Sequence, residues 1–206
     1  MLVIDRLVLR NVWISSWVLS LSLLGDALIY VILPIHADAF GVSMLMVGFL
    51  LAVNRIIRIF AYGLIADLAQ RIGLKNLCLI AAMTATLSTV GYGVLEGVFF
   101  LTISRIVWGL SFAALLLITL TYAAVNPVKT GTRIGISRSV EQAGPLFAMT
   151  VGAWFATTVG PRDVFLYLGF VTAVSVCLAL MLVRNAQPKR LKVPAKRYSI
   201  FPRPDS

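Results

Sequence analysis

Six apolar runs, each about 20 residues long, constrain this chain more than any other feature of its sequence. A helix of that length crosses the hydrocarbon core of a bilayer. Hydrophobic residues make up 60% of the 206 residues, which is more than a soluble domain needs for its core. We therefore predict an all-α membrane protein whose six transmembrane helices lie at residues 12–33, 44–65, 77–95, 99–124, 134–158 and 164–183.

The predicted helices divide the chain into three parts. Residues 1–11 are predicted to be a short cytoplasmic amino-terminal segment, and residues 12–183 the transmembrane domain. Residues 184–206 are rich in proline and positive charge, which is typical of a cytoplasmic tail or linker. The first apolar run is too long for a signal peptide and no cleavage site clearly follows it, so we expect it in the mature protein.

The positive charge is distributed unevenly along the chain. Of the 18 Lys and Arg, nearly all of those outside the apolar runs lie in the amino terminus, the second and fourth connections and the tail, whereas the first and third connections have none and the fifth has only Arg162. Because Lys and Arg are enriched in cytoplasmic loops, we expect both termini in the cytoplasm and the helices in the cytoplasmic (inner) membrane. The net charge of +10 thus indicates topology and contact with the lipid bilayer, and nucleic acid is not expected as a partner.

Five charged residues interrupt the apolar runs. A charge at the centre of a transmembrane helix costs about 2.5–3.5 kcal/mol on insertion scales, so it needs a partner, water or a function. We therefore expect a polar pathway for a substrate or protons inside the helix bundle. These five residues are Asp26, Arg55, Arg58, Arg105 and Glu141.

The rise of a helix gives the depth of each charge. Asp26 and Arg105 lie about 10 Å and 9 Å from the outer ends of their predicted helices. We predict that the two side chains face one cavity and interact directly, or through water or substrate. The alternative is that the two residues form an ion pair that only fixes the packing of the helices and does not contact a substrate.

Arg58 and Glu141 are predicted at similar depths toward the cytoplasmic side, and we expect them to form an ion pair. That pairing leaves Arg55, together with Asn54, as the positive charge most available to an anionic group. Three buried arginines against two acids favour an anionic substrate.

Four stretches resemble the amino-terminal half of a major facilitator superfamily transporter. Residues 25–30 place an acidic residue one turn before an aromatic residue, and residues 63–75 carry a Gly, Asp and Gly pattern with basic residues. The fourth predicted helix has an Arg followed by a Gly, and the fifth has a Gly-Pro pair. The key positions are Asp26 and Tyr30, then Gly63, Asp67, Arg71, Gly73 and Lys75, then Arg105 and Gly109, and finally Gly144, Pro145 and Gly152.

The resemblance implies two three-helix repeats that form one half of a transporter working by alternating access. The residues at 63–75 correspond to a conformational latch, for which we predict that Asp67 lies just beyond the second helix and that Gly63 permits close helix approach. Gly109, Gly144, Pro145 and Gly152 are expected to serve helix packing. The substrate or proton pathway is expected to comprise Asp26, Tyr30, Asn54, Arg55, Arg58, Arg105 and Glu141.

Family members usually have twelve helices, so we expect these six to pair with a second six-helix chain or with a second copy. The predicted function is that of a subunit or half of a secondary active transporter that moves a small, anionic solute, coupled to protons. The alternative is a non-transporting membrane scaffold or accessory subunit. The sequence has one His and no Ser/His/Asp set or cluster of metal ligands, so we expect neither an enzyme nor a cofactor or metal.

Overall fold

A computed structural model describes residues 2–125 and 129–183, and every regular element within them is helical. Short connections join the successive helical elements, some of which follow one another without a break. The elements are α1 (Leu2–Ile35), a 3₁₀ turn (Ala37–Phe40), α2 (Met44–Ile72), α3 (Leu74–Val94), α4 (Val98–Ala123), α5 (Thr130–Phe147), a π-helical turn (Ala148–Gly152), α6 (Ala153–Val159) and α7 (Asp163–Leu180).

Five of the helices are long and apolar enough to cross a membrane: α1 from Arg6 onward, α2, α3, α4 and α7. They correspond to five of the six predicted spans, and they agree with a multi-pass membrane protein. The predicted span at residues 134–158 differs, because it is divided among α5, the π-helical turn and α6.

Two physical features distinguish this fifth span. Its first half is polar, since α5 contains Arg133, Arg138 and Glu141. Its second half follows Pro145, which has no N–H to donate to the preceding turn, and the regular α-helical pattern gives way to the π-helical turn three residues later.

Two predicted boundaries are moved by the structure. Helix α1 begins at Leu2, so the described residues before residue 12 continue the first span as helix. Helix α2 extends to Ile72, which places Asp67 inside the helix, and the prediction that Asp67 lies beyond its end is wrong. The apolar run ends near residue 65, but the polar residues after it keep helical hydrogen bonding.

The predicted tail at 184–206 lies outside the described residues.

Glycines with positive φ make the connections short. Gly73 is the single residue between α2 and α3 and has φ 84°, a conformation that residues with a side chain rarely adopt. Gly97 before α4 and Gly160 before α7 have φ 86° and 113°. These connections therefore need only one to three residues.

Helix α1 lies at the centre of the bundle and contacts α4, α5 and α7 extensively. Helix α2 packs mainly on α4, and α3 packs on α4 and α7. The apolar core forms two clusters along the bundle axis, one around Leu19 and Leu115 and the other around Leu28 and Phe165. The buried charges of α1 and α4 lie where these two clusters meet.

Asn11 on α1 lies beside Val183, the last described residue, toward one end of the bundle. The Asn11 side chain donates to the Val183 carbonyl (3.1 Å) and accepts from the Val183 N–H (3.2 Å). At the other end, the Gly97 N–H donates to the Phe40 carbonyl (2.9 Å) and Arg162 forms an ion pair with Glu96. Both ends of the bundle are thus tied by contacts between connections or chain ends.

Gly144 brings α5 into close contact with α1. Its N–H donates to the Ser20 hydroxyl (2.9 Å), and a Cβ at this position would overlap the Ser20 carbonyl oxygen. Gly109 plays a similar part between α4 and α2, because a Cβ there would lie 3.0 Å from the Asn54 carbonyl oxygen. Gly152 has only ordinary contact distances to Leu28, at 3.5 Å.

Gly63 differs from the other glycines that were expected to permit close approach. A Cβ at Gly63 would have nothing within 4 Å among the described residues, so no helix approaches closely at this position.

Substitution of Gly144 tests the contact between α1 and α5. We expect Gly144→Ala to lower the free energy of unfolding by about 1–3 kcal/mol, because the added methyl group forces the two helices apart. Gly135→Ala is the matched control on the same helix, since a Cβ there meets nothing within 4 Å among the described residues. Thermal unfolding in mild detergent measures both variants, and equal midpoints would contradict this account of the contact.

Candidate functional site

A cavity of about 380 Å³ lies among α1, α2, α4 and α5, where the two apolar clusters meet. It combines charged, aromatic and aliphatic side chains, and its rim is open on the side of Arg55 and Gln142, both of which are exposed. The lining residues are Leu23, Asp26, Ala27, Tyr30, Arg55, Arg58, Phe112, Glu141, Gln142, Pro145 and Met149.

Asp26 is the centre of the polar network in this cavity. The residue is only 6% exposed, and its Oδ1 accepts hydrogen bonds from Arg105 Nη1 (2.5 Å) and Asn54 Nδ2 (2.9 Å). Its Oδ2 lies 3.8 Å from Arg58 Nη2. One carboxylate on α1 therefore holds side chains from α2 and α4, and the direct contact of Asp26 with Arg105 agrees with their similar predicted depths.

Arg105 is held from several directions and is 1% exposed. Its Nε donates to the Leu50 carbonyl (3.2 Å), and its guanidinium lies 4.9 Å from the ring centre of Tyr30 and 5.9 Å from that of Tyr92. Its Nη2 is buried without a hydrogen-bond partner among the described residues. Arg105 lies behind the residues that line the cavity and neutralises the charge of Asp26. Its Nη2 group remains without an acceptor among the described residues.

Asn54 connects the ion pair to a second arginine. It donates to Asp26 and accepts from Arg58 Nε at 2.6 Å, and its side chain is fully buried. The guanidinium of Arg58 lies 4.0 Å from the ring centre of Phe112, in cation–π geometry. Arg58 therefore lies at the cavity wall, held by an amide and an aromatic ring and only loosely by Asp26.

Arg55 is the most accessible cation of the cavity. It is exposed and makes no ion pair with any residue in the described part of the chain, and its guanidinium lies 5.6 Å from the ring centre of Tyr30. The Tyr30 hydroxyl donates to the Leu51 carbonyl (3.2 Å), which fixes the ring between Arg55 and Arg105.

The predicted ion pair between Arg58 and Glu141 does not form. Glu141 Oε2 instead accepts from Arg138 Nη1 at 2.6 Å, three residues earlier on the same helix. Glu141 reaches a partner one turn away within α5, and Arg58 is held by Asn54, one turn away on α2, and by Phe112 of α4. Depth alone predicted the pairing of Arg58 with Glu141, and it does not take account of Arg138, which is a nearer partner on the same helix as Glu141.

The residues predicted as a latch lie apart from the cavity. Asp67 and Arg71 are exposed on the last turns of α2, and the Asp67 carboxylate forms no ion pair and accepts no hydrogen bond within residues 2–125 and 129–183. Lys75 Nζ donates to the Leu180 carbonyl (2.7 Å), which ties the start of α3 to the end of α7. The sequence did not indicate this contact or the bridging position of Asn54, because both depend on how distant helices are packed.

The donor set of the cavity suits ionic and aromatic contacts. No group of three or more His, Cys, Asp and Glu side chains that could hold a metal ion occurs in the described part of the chain. Guanidinium groups bind carboxylates and phosphates through paired hydrogen bonds. The arrangement can therefore hold an anion.

The ion pair of Asp26 and Arg105 predicts a specific pattern of stability. We expect Asp26→Ala to cost about 3 kcal/mol or more, because it leaves the Arg105 charge buried without its carboxylate. The double variant Asp26→Ala/Arg105→Met should lose less stability than Asp26→Ala alone, since no unpaired charge remains. Asp38→Ala, which removes an exposed acid outside the cavity, is the control. Chemical unfolding in detergent measures these variants, the single variant Arg105→Met and the unchanged protein, and a loss in the double variant equal to the sum of the two single losses would contradict the pairing.

The comparisons with known proteins agree with this architecture. No curated protein matches the chain. A protein-family model described as Major Facilitator Superfamily matches residues 16–204, which is most of the sequence and includes every residue that lines the cavity. The chain therefore belongs to the major facilitator superfamily, whose members are membrane transporters.

Proposed function

We propose that this chain is one half of a secondary active transporter that moves a small anionic solute by alternating access. The observation that carries the proposal is the cavity in which Asp26 is paired with Arg105 and flanked by Arg55 and Arg58. Ionisable residues at membrane depth mark substrate and ion pathways more often than simple packing sites.

The position of Arg55 supports a path for solute beside this half. Arg55 is exposed about 16 Å along α2, which is close to the middle of that helix. A guanidinium facing lipid at this depth is costly, so the surface around it requires protein or water. A second six-helix chain or a second copy of this one would supply the opposite wall.

The pattern of helix contacts supports two three-helix repeats. Helix α1 packs on α5 as α4 packs on α2, and α1 contacts α7 as α4 contacts α3. The third members of the two repeats, α3 and α7, pack on each other. Exchanging the first three spans for the last three leaves the main contacts unchanged, as expected for repeats related by a pseudo-twofold axis.

The network around Asp26 supports the proton coupling that we propose. An anionic substrate that attracts Arg58 weakens the positive surroundings of the Asp26 carboxylate, which can then take up a proton. Release of the substrate returns Arg58 and expels the proton. Asp67, Arg71 and Lys75 would act as a latch toward the other half, with Gly73 setting the turn between them.

The orientation of the chain has its own test. We expect both termini and the turn between α2 and α3 in the cytoplasm, because the basic connections lie at that end of the bundle. In a variant with Cys78 and Cys177 changed to Ser, an impermeant maleimide applied to intact cells should label Ala39→Cys but not Asn76→Cys. Both positions are exposed in the structure, so permeabilised cells should label both, and the reverse pattern would contradict the orientation.

A non-transporting scaffold or accessory subunit is the alternative function. A scaffold needs well-packed helices but has no use for an exposed mid-span arginine or an open polar cavity. Transport measurements separate the two functions.

Reconstitution into vesicles tests the transporter directly. We expect anion movement driven by a proton gradient when the chain forms a homodimer or is combined with a six-helix partner. Asp26→Asn should abolish the dependence on the proton gradient, because the amide cannot take up the proton, while Asp38→Asn should leave it unchanged.

The oligomeric state in mild detergent is measured on the same samples. Transport by the pair but by neither chain alone supports a heteromeric transporter, and transport by this chain alone supports a homodimer. Absence of transport with any partner or gradient would contradict the proposal and favour the scaffold. Unaltered gradient dependence in Asp26→Asn would remove Asp26 from the coupling step.

A further inference from the structure

We propose that the cavity binds an amphipathic organic anion, whose anionic group lies between Arg55 and Arg58 and whose apolar body lies against Phe112, Pro145 and Met149. This inference rests on the proposed transport function and adds the chemical class of the substrate and the two parts of its site. It follows from charge balance, from the spacing of the arginines and from the composition of the cavity wall.

The charges of the cavity are only partly balanced. Arg105 is paired with Asp26 at 2.5 Å, and Arg138 is paired with Glu141 at 2.6 Å. Each acid of the cavity therefore already has a close arginine of its own. The two remaining cations are Arg55, which has no carboxylate partner within the described residues, and Arg58, whose nearest carboxylate oxygen is 3.8 Å away. The wall carries an excess of positive charge that an anionic group would offset.

The two remaining arginines are placed to bind one group together. Arg55 and Arg58 are three residues apart on α2, so their side chains leave the same face of the helix about one turn apart. Both line the cavity, and Arg55 is exposed at its rim. Two guanidinium groups on adjacent turns can donate several charge-assisted hydrogen bonds to one carboxylate.

The rest of the wall is suited to an apolar body. Phe112 lies directly beneath the Arg58 guanidinium, with 4.0 Å between the guanidinium carbon and the ring centre. Pro145 and the exposed Met149 continue the wall along α5 and the π-helical turn, and Leu23 and Ala27 line the side of α1. An inorganic anion would leave this apolar surface unused, whereas an aryl or alkyl carboxylate would cover it.

The negative charge could come instead from a carboxylate of the other half. In that case Arg55 would stabilise the association of two halves and would not bind a solute. The experiment distinguishes the two sources, because ligand binding and oligomeric state are measured on the same variants.

Four small probes test the charge and the body separately. Benzoate, benzyl alcohol and benzylammonium share a ring and differ in charge, and acetate keeps the carboxylate without the ring. The purified full chain in nanodiscs of uncharged phosphatidylcholine is titrated with each probe at neutral pH by calorimetry. We expect benzoate to bind more tightly than the other three.

Variants of the arginines give the matched controls. Arg55→Gln should weaken benzoate binding about tenfold or more, as expected for the loss of charge-assisted hydrogen bonds. Arg55→Lys should retain part of the affinity, since it keeps the charge without the paired donors. Arg10→Gln removes one exposed positive charge outside the cavity and should bind benzoate as tightly as the unchanged protein. Arg55 is exposed and unpaired among the described residues, so its replacement leaves the fold intact.

Several results would overturn the inference. One is an affinity for benzyl alcohol, benzylammonium or acetate equal to that for benzoate. The others are the absence of benzoate binding and benzoate binding that does not change in Arg55→Gln. Dissociation of an oligomer in Arg55→Gln, without benzoate binding by the unchanged protein, would assign Arg55 to the interface. If benzoate binds as expected and no solute is moved in vesicles, the transporter proposal fails while the binding site stands.

Discussion

The ion pair between Asp26 and Arg105 is the interaction on which the rest of the structure depends. It joins α1 to α4, the two helices at the centre of the bundle, at the level where the two apolar clusters meet. Asn54 extends the same network to α2 and positions Arg58 at the cavity wall. Since removal of either charge leaves the other buried, the pair commits three helices to one arrangement.

The cavity separates charges by their accessibility. Arg105 is buried between Tyr30 and Tyr92 and neutralises the charge of Asp26. Arg55 and Arg58 lie nearer the open side and are held chiefly by aromatic rings and an amide. The free energy needed to separate a guanidinium from an aromatic ring or an amide is smaller than that needed to separate it from a carboxylate. The accessible arginines can therefore change partners more readily than Arg105 can.

Much of the fold was predictable from the sequence because apolar runs and helix length are local properties. The exception is the fifth span, where the polar residues of α5 and Pro145 interrupt the pattern. The contact of Asp26 with Arg105 could be anticipated from depth, since helix rise converts residue number to height. Depth says nothing about rotation or local neighbours, so the pairing of Glu141 with Arg138 and the bridging by Asn54 were not anticipated. The roles of these residues in transport remain predictions.

The single glycine between α2 and α3 has a mechanical consequence for the cavity. One intervening residue spans so little distance that the Cα atoms of Ile72 and Leu74 cannot separate by more than about 7 Å. Any movement of α2 that shifts its carboxyl-terminal end must therefore displace the first turn of α3 as well. Lys75 on that turn is bonded to the Leu180 carbonyl, so the displacement is passed on to α7. Through Gly73, such a movement of α2, the helix that carries Arg55 and Arg58, is therefore transmitted to α3 and α7.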